Sequence, residues 1–150
     1  MIREQLTKER LLSNDSSIKI NRTLAKYMSL TEAVVFRQIH CYLQYNEIMN
    51  ENYVEGRYWV CNSIREWKKE LDFLSEATIK RSLRQLEKDG VLITAIHNKD
   101  KRDRTKWYSI DYDRLVDFCE KRRIKKQILS RKRIMAGLEG FKVKKRKVYR

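Results

Sequence analysis

The hydrophobic positions between Ser63 and Leu71 repeat with the period of an α-helix. Ile64, Trp67 and Leu71 stand at i, i+3 and i+7, so they share one helix face. Ser63 and Glu66 form the serine–glutamate pair of a capping box at the start of this segment. The pattern therefore predicts a short helix over residues 63–71, which is followed by a turn over residues 72–74.

A second, longer helix is predicted to begin directly after that turn. Ser75 is a favourable N-cap, and Ile79, Leu83 and Leu86 lie on one face before Gly90 supplies a C-terminal stop. At about 100° per residue the opposite face is polar and mostly basic. That face consists of a stripe, Ala77, Arg81, Arg84 and Lys88, with Thr78, Lys80 and Gln85 beside it.

After Gly90 the pattern changes from the period of a helix to that of strands. Val91–His97 is rich in β-branched residues and Lys106–Asp111 reads as a second strand, so the two are predicted to pair as an antiparallel hairpin. The loop between them, Asn98–Thr105, carries four basic and two acidic residues. Such a loop is typical either of a wing that lies along a phosphate backbone or of a solvated hairpin tip.

The N-terminal third gives weaker patterns. Ile2, Leu6 and Leu11 favour a short helix, and residues 13–17 are interpreted as a connector. Residues 18–20 are predicted as a short strand and residues 22–28 as one or two helical turns.

A long helix is predicted over Thr31–Glu47. Thr31 is taken as its N-cap, with Leu30 and Val35 as a hydrophobic staple. Residues 50–56 are then predicted as a loop, and Arg57–Val60 as a third strand beside the hairpin.

From Tyr112 the pattern is helical again, with Leu115 and Phe118 facing inward, and it fades after Glu120. The whole order predicts an α+β, helix-rich winged helix-turn-helix with a small antiparallel sheet and a basic C-terminal tail. The predicted division is an N-terminal extension over residues 1–17, a winged-helix domain over 18–120 and the tail over 121–150.

Charge is concentrated in that tail. The chain has a net charge of +15, and residues 121–150 hold 14 Lys and Arg against the single acid Glu139, a net of +13, so residues 1–120 carry only +2. Such a segment gains free energy beside a polyanion by releasing condensed counterions. Nucleic acid is the favoured partner, and a membrane-surface patch or a solubilising tail are the alternatives.

The sequence shows neither a membrane-spanning segment nor a secretion signal. No apolar run approaches the roughly 20 residues that span a bilayer, and the N-terminus has no signal-peptide core. We expect a protein of the bacterial cytoplasm with no membrane partner.

Three groups of residues are the candidate contacts to double-stranded DNA. Arg81 and Arg84 are expected to read bases, because a guanidinium can offer two donors to one guanine, whereas lysines more often hold phosphates. The alternative for each residue is ordinary solvent exposure. The helix group is Ser75, Ala77, Thr78, Lys80, Arg81, Arg84 and Lys88; the wing group is Lys99, Lys101, Arg102, Arg104 and Lys106; the tail group is Lys121, Arg122, Arg123, Lys125, Lys126, Arg131, Lys132, Arg133, Lys144, Lys145, Arg146 and Lys147.

The aromatic residues are interpreted as core. Trp67 lies on the apolar face of its helix, and Trp59 and Trp107 lie in predicted strands, so packing is favoured over stacking on single-stranded bases. Tyr108 and Tyr112 remain open between the two.

Catalysis finds little support in the sequence. His40 and His97 are the only histidines, and neither has partners at zinc-ligand spacing or in a nucleophile or phosphate-loop motif. The three cysteines are widely spaced. We expect a protein that is not an enzyme and that uses no cofactor and no metal.

Five short segments, in their order and spacing, carry a resemblance to a known family. They are SLTEA at Ser29–Ala33, RYWV at Arg57–Val60, EW at Glu66–Trp67, SEATIKRSLRQLEKDG at Ser75–Gly90 and RDRTKWYSIDYDRL at Arg102–Leu115. Over roughly residues 24–115 the chain resembles the winged-helix N-terminal domains of replisome-organiser, or DnaD-like, replication initiators of phages and plasmids from Gram-positive hosts.

The resemblance implies binding to duplex DNA at a replication origin, with the helix that begins at Ser75 in the major groove. Family members often continue into a second domain that recruits the helicase-loading machinery. Here a basic segment of about 30 residues follows instead, so such a contact is expected from the winged helix or the tail.

Further partners are a second copy of the chain on DNA and a host replication or regulatory protein. A winged-helix transcriptional regulator and a phage-encoded module that binds a host protein are the alternative functions.

Overall fold

The structure, a computed structural model, describes residues 7–13 and 17–148, with side chains up to residue 139. Within these ranges the chain forms α1 (Lys8–Leu12), α2 (Arg22–Tyr27), α3 (Leu30–Met49), β1 (Tyr53–Val54), β2 (Arg57–Tyr58), β3 (Val60–Cys61), α4 (Ile64–Glu70), α5 (Glu76–Lys88), β4 (Leu92–Ala95), β5 (Trp107–Ile110) and α6 (Tyr112–Val148). Ile2 and Leu6 of the predicted N-terminal helix, and residues 14–16 of the connector, lie outside the described residues.

Helices α3 and α5 pack against a three-stranded antiparallel sheet of order β3-β5-β4, and α4 reaches this sheet through Trp67, whose ring lies 6.2 Å from that of Tyr108. Tyr108 on the central strand pairs with Val60 on one side and with Thr94 on the other. This arrangement confirms the predicted α+β winged helix, in which the β4–β5 connection is the wing.

The core lies where the three helices meet the sheet. Trp67, Ile39, Ile79 and Leu86 are almost completely removed from solvent, and they come from α4, α3 and α5. Each such side chain contributes roughly 1.5–3 kcal/mol on burial. The apolar faces predicted for residues 63–71 and 75–90 are therefore the faces that hold the helices together.

Local hydrogen bonds define the starts of α4 and α5 and the turn between them. Ser63 and Glu66 form the predicted capping box, and the Ser75 hydroxyl accepts a hydrogen bond from the Thr78 amide. The Lys68 ammonium donates to the carbonyl oxygens of Asp72 and Leu74 at 2.8 and 2.6 Å. The Lys68 side chain on α4 thus provides hydrogen-bond donors for two carbonyl groups of the turn that follows.

Gly90 ends α5 in the way that its position predicts. Its φ is +78°, and the amides of Gly90 and Val91 bond back to the carbonyls of Glu87 and Leu86. These two bonds form a Schellman motif, which favours glycine because the left-handed backbone strains other residues. The chain then turns directly into β4, which packs against α5.

Three N-terminal predictions are wrong. Residues 18–20 form no strand, and the N-cap of α3 is Ser29, whose capping box with Glu32 starts the helix earlier than Thr31. With that start Leu30 is exposed, so it does not form the predicted staple with Val35. Ser29 prevails because it places an acidic residue at the third helical position, where its carboxylate accepts from the Ser29 amide.

The predicted loop at residues 50–56 contains part of a second hairpin. Strand β1 pairs with β2, so Arg57–Tyr58 belongs to this hairpin and only Val60–Cys61 joins the main sheet. The Trp59 amide donates to the Asn52 carbonyl and its indole donates to the Val54 carbonyl, which fixes the hairpin against the core.

Helix α6 continues past Glu120, where the sequence pattern fades. It runs without a break from Tyr112 to Val148, a length of about 55 Å at 1.5 Å per residue. Its first turns pack on α2, and it crosses the predicted boundary between the winged-helix domain and the tail. Among the described residues, no helix combines the length and apolar character needed to cross a membrane.

Candidate nucleic-acid interface

The outer face of α5 is exposed and basic. Lys80, Arg81, Arg84 and Lys88 all lie at the surface, together with Ala77, along a shallow depression of about 450 Å³. Among the side chains that the structure describes, none forms a salt bridge with these four cations that would have to break before they met a phosphate or a base. The face predicted from helical periodicity is therefore available to an anionic partner.

The start of α5 is less open. The Ser75 hydroxyl caps the helix and donates to the Thr78 hydroxyl at 2.8 Å, and the Arg81 guanidinium lies 3.5 Å from that same hydroxyl. Thr78 is also half-buried. Of the predicted helix group, Ser75 and Thr78 thus serve first to build the helix start.

A groove of about 350 Å³ joins α5 to the base of the wing. Lys80 and Arg84 stand on its helix side, and Arg104 and Lys106 stand on its wing side. Tyr108 lies beneath, and burial, followed by the nearby Glu87 carboxylate, raises the pKa of its hydroxyl to about 12, so this side chain stays neutral. Two groups that lie far apart in the sequence therefore meet in one basic groove.

The wing is built around Asn98. Its side-chain amide donates to the carbonyl oxygens of Asp103 and Thr105, both at 2.9 Å, while its oxygen accepts from the Trp107 indole at 2.7 Å. Lys99, Lys101 and the rest of the predicted basic wing residues remain exposed around this centre.

The two acidic wing residues have a structural role. The Asp100 carboxylate accepts from the Arg102 amide, and the Asp103 carboxylate accepts from the amide and the hydroxyl of Thr105. These Thr105 bonds hold the pKa of Asp103 below its usual range. The acids therefore shape the turns of the loop and neutralise its cations only in part.

Glu87 is a groove residue that the sequence does not single out. Its carboxylate accepts from the Thr94 hydroxyl on β4 at 2.7 Å and lies 3.5 Å from the Lys106 ammonium. It thereby connects α5 to β4 and to the residue just before β5. Its position four residues after Leu83 shows only that it lies near the buried face of α5. The sequence therefore gives no signal for its contacts with Thr94 and Lys106.

The aromatic residues behave largely as core. Trp59 and Trp67 are buried, as predicted, whereas Trp107 is half-buried and has its ring 5.4 Å from that of His97. His97 also lies 4.7 Å from Trp59, so its ring is held between two indoles. Of the two tyrosines left open, Tyr108 is buried and Tyr112 is exposed at the start of α6, where its hydroxyl lies 2.8 Å from the His40 imidazole.

The tail cations whose side chains the structure describes do not line the groove between α5 and the wing. Arg122 lies 4.0 Å from Asp89, Lys126 lies over the Tyr27 ring, and Arg123 pairs with Glu120 on its own helix. Together with Lys121 and Lys125, Arg122 and Lys126 line a separate hollow on the α2 side of α6. Arg131, Lys132 and Arg133 are exposed farther along α6, and the side chains of Lys144, Lys145, Arg146 and Lys147 lie outside the described ones.

A comparison with solved structures finds a protein of similar fold. A solved structure described as "N-Terminal domain of DNA binding protein" aligns with a TM-score of 0.51 and 15% sequence identity, over 72% of this chain and 82% of that one. No family model matches the sequence, and no curated protein matches it. At this identity the likeness supports the winged-helix architecture.

Proposed function

We propose that this protein binds double-stranded DNA, with α5 in the major groove and the β4–β5 wing along the adjacent backbone. The observation that carries the proposal is the basic groove, in which Lys80 and Arg84 face Arg104 and Lys106. A groove with cations on both walls suits a phosphate chain, and an exposed helix beside it suits the reading of base edges. The DNA-binding protein with a similar fold adds support.

Roles within the interface follow from side-chain chemistry. Arg81 and Arg84 project from the middle of α5, where two parallel guanidinium donors can meet one guanine. Lys80, Lys88 and the wing cations hold phosphates and so set orientation more than sequence preference.

Binding without catalysis is part of the proposal. The two histidines are committed to other partners, His40 to the Tyr112 hydroxyl and His97 to two indole rings. Neither borders the basic groove.

An affinity measurement tests this function. A duplex selected from a random pool is titrated with the wild-type chain and with an Arg81→Ala, Arg84→Ala double variant in moderate salt. The double variant is expected to lose at least about 30-fold in affinity for the selected duplex, since each guanine contact contributes roughly 1–3 kcal/mol. Lys19→Ala with Arg22→Ala removes the same charge from an exposed surface near α2 and should change affinity far less. Equal losses in the two double variants, or no loss in the first, would refute base reading by α5.

The process that we propose is initiation of replication at a phage or plasmid origin. Its support is the resemblance of residues 24–115 to replisome-organiser proteins, and transcriptional regulation is the alternative that uses the same interface. A duplex protected by the protein is placed on a plasmid that lacks an origin, and, separately, upstream of a reporter gene. Replication that depends on the protein supports an initiator, whereas a change in reporter output alone supports a regulator.

A further inference from the structure

The end of α3 carries an exposed apolar surface with acidic residues around it. Ile48 is 82% exposed, which is unusual for a side chain that gains about 2 kcal/mol or more from burial. From Cys41 to Gly56 the chain holds three glutamates and no lysine or arginine. This surface, called the α3-end patch, consists of Tyr45, Ile48, Met49 and Tyr53 with Glu47, Glu51 and Glu55.

The β1–β2 hairpin holds the patch in one piece. The Tyr58 hydroxyl donates to Asn50 at the end of α3, and the rings of Tyr53 and Tyr58 lie 4.9 Å apart. Tyr53 is thereby fixed beside the last turn of the helix. The patch is therefore a surface of several residues whose relative positions are fixed by these contacts.

A second apolar surface runs along α6. Ile124, Ile128, Ile134, Met135 and Leu138 are each about half exposed, and at about 100° per residue they fall on one stripe roughly 120° wide. We call this stripe the α6 seam. Arg122 and Lys126, which contact Asp89 and Tyr27, stand on the other side of the helix. The described residues of the body therefore leave the seam uncovered.

The charge around the seam is opposite to that around the patch. Lys125, Arg131 and Lys132 border or interrupt the seam, and the residues from 121 to 138 include no acid. A stripe of this width is typical of a helix that packs against protein. An acidic protein surface with apolar side chains at its centre is thus the matching partner.

We infer that the α6 seam of one copy of this chain docks on the α3-end patch of a second copy. A contact between two seams would place Arg131 of one copy near Arg131 of the other, and a contact between two patches would bring their glutamates together. Both arrangements oppose like charges, whereas a seam on a patch pairs basic with acidic residues. Docking within one chain is excluded by the path of α6. This helix is continuous and contains no proline, and its basic side is held on α2 through Lys126, so its seam faces away from its own body.

Such a contact is heterologous, because different surfaces of the two copies meet. Each copy keeps one seam and one patch unused after the first contact, so copies add head to tail into a chain or a closed ring. The α5 face takes no part in it and remains available in every copy.

Mixing experiments test this geometry in the absence of DNA. The full chain, cleared of nucleic acid, is studied by sedimentation at concentrations up to about 100 µM, where contacts of modest affinity are populated. Ile48→Asp disables the patch and Ile128→Asp disables the seam. Leu12→Asp, at an α1 position that is 72% exposed, is the matched control.

The expected results are specific to a head-to-tail contact. The wild-type chain and the control form species larger than a dimer, and each single variant is monomeric. An equimolar mixture of the two variants forms a dimer and nothing larger, because one copy has an intact seam and the other an intact patch. Glu51→Lys weakens association about tenfold or more, and adding Lys132→Glu to the same chain restores it.

Other outcomes overturn the inference. A wild-type chain that stays monomeric at the highest concentration excludes self-association. A single variant that still forms dimers shows that like surfaces meet, and a mixture that stays monomeric excludes seam-on-patch contact. Retained circular dichroism and melting temperature in every variant, expected since both isoleucines are at the surface, exclude unfolding as the cause.

Discussion

At the scale of single residues, Asn98 shows how one side chain organises the wing. It joins the two ends of the wing by donating to the carbonyls of Asp103 and Thr105, and it accepts the indole hydrogen of Trp107. The sequence predicts the loop and its charges but not this role, because the contacts join positions up to nine residues apart through a fold that no local pattern encodes.

Asn98→Ala is expected to lower the free energy of unfolding by about 1–3 kcal/mol, since it leaves a half-buried indole donor and two carbonyls without partners. Thermal or urea unfolding measures the change. Lys99→Ala, one position along and fully at the surface, should stay within about 0.5 kcal/mol of the wild type. A similar effect from both substitutions would show that Asn98 does not organise the wing.

His40 gives the fold a dependence on pH. Burial, followed by the charge of Arg37, lowers the pKa of this imidazole from its ordinary value of 6.5. Between pH 6.5 and the lower pKa that His40 has in the folded state, the folded protein binds fewer protons than the unfolded chain. The contribution of His40 to stability is therefore complete above pH 6.5 and declines as the pH falls through this window. The melting temperature should fall more between pH 7.5 and about 5.5 for the wild type than for His40→Gln. Parallel curves would show that His40 does not cause the decline.

At the scale of elements, the sequence predicts best where a helix has its own start and stop chemistry. For α4 and α5 the caps at Ser63 and Ser75 and the stop at Gly90 are confirmed, because these signals act within one turn of the chain. The sequence does not predict the β1–β2 hairpin. Its strands have two residues each, which is too few to show the alternation of apolar and polar residues that marks a strand. Its position depends on bonds from Trp59 to the loop.

Ser75→Ala should reduce the free energy of unfolding by about 1 kcal/mol, because the amide that the hydroxyl caps is left without its partner. Ser75→Gly should cost only a few tenths of that, since glycine is tolerated at an N-cap. Denaturant unfolding with Ser130→Ala on exposed α6 as the control measures both. The capping role is disproved by an alanine variant as stable as the wild type.

At the scale of the whole molecule, two basic surfaces have different proposed roles in DNA binding. The α5 face and the wing form a compact basic groove, while most of the positive charge lies along α6. The charge asymmetry is predictable from the sequence, and so is the content of the α5 face. The continuation of α6 to Val148 is not, because its basic residues suit a helix or a disordered tail equally until the geometry is known.

Neutralising the exposed α6 cations tests that division in the full chain. Arg131→Gln, Lys132→Gln and Arg133→Gln together should weaken binding to selected and random duplexes alike. They should also reduce the slope of log affinity against log salt by about 0.9 for each phosphate that the protein no longer neutralises. The same number of charges removed at Lys19, Arg22 and Lys26 is the control. An unchanged slope after the α6 substitutions would show that this part of α6 does not hold phosphates.

The most direct measurement of where DNA binds is a map of backbone amide NMR shifts during titration of the full chain with a short duplex. Binding through the proposed interface predicts the largest shifts along α5, from Ala77 to Lys88, and through the wing at Asn98–Lys106, with smaller shifts on α6. Shifts that leave α5 and the wing unchanged while they move α6 or the α3-end patch would contradict it.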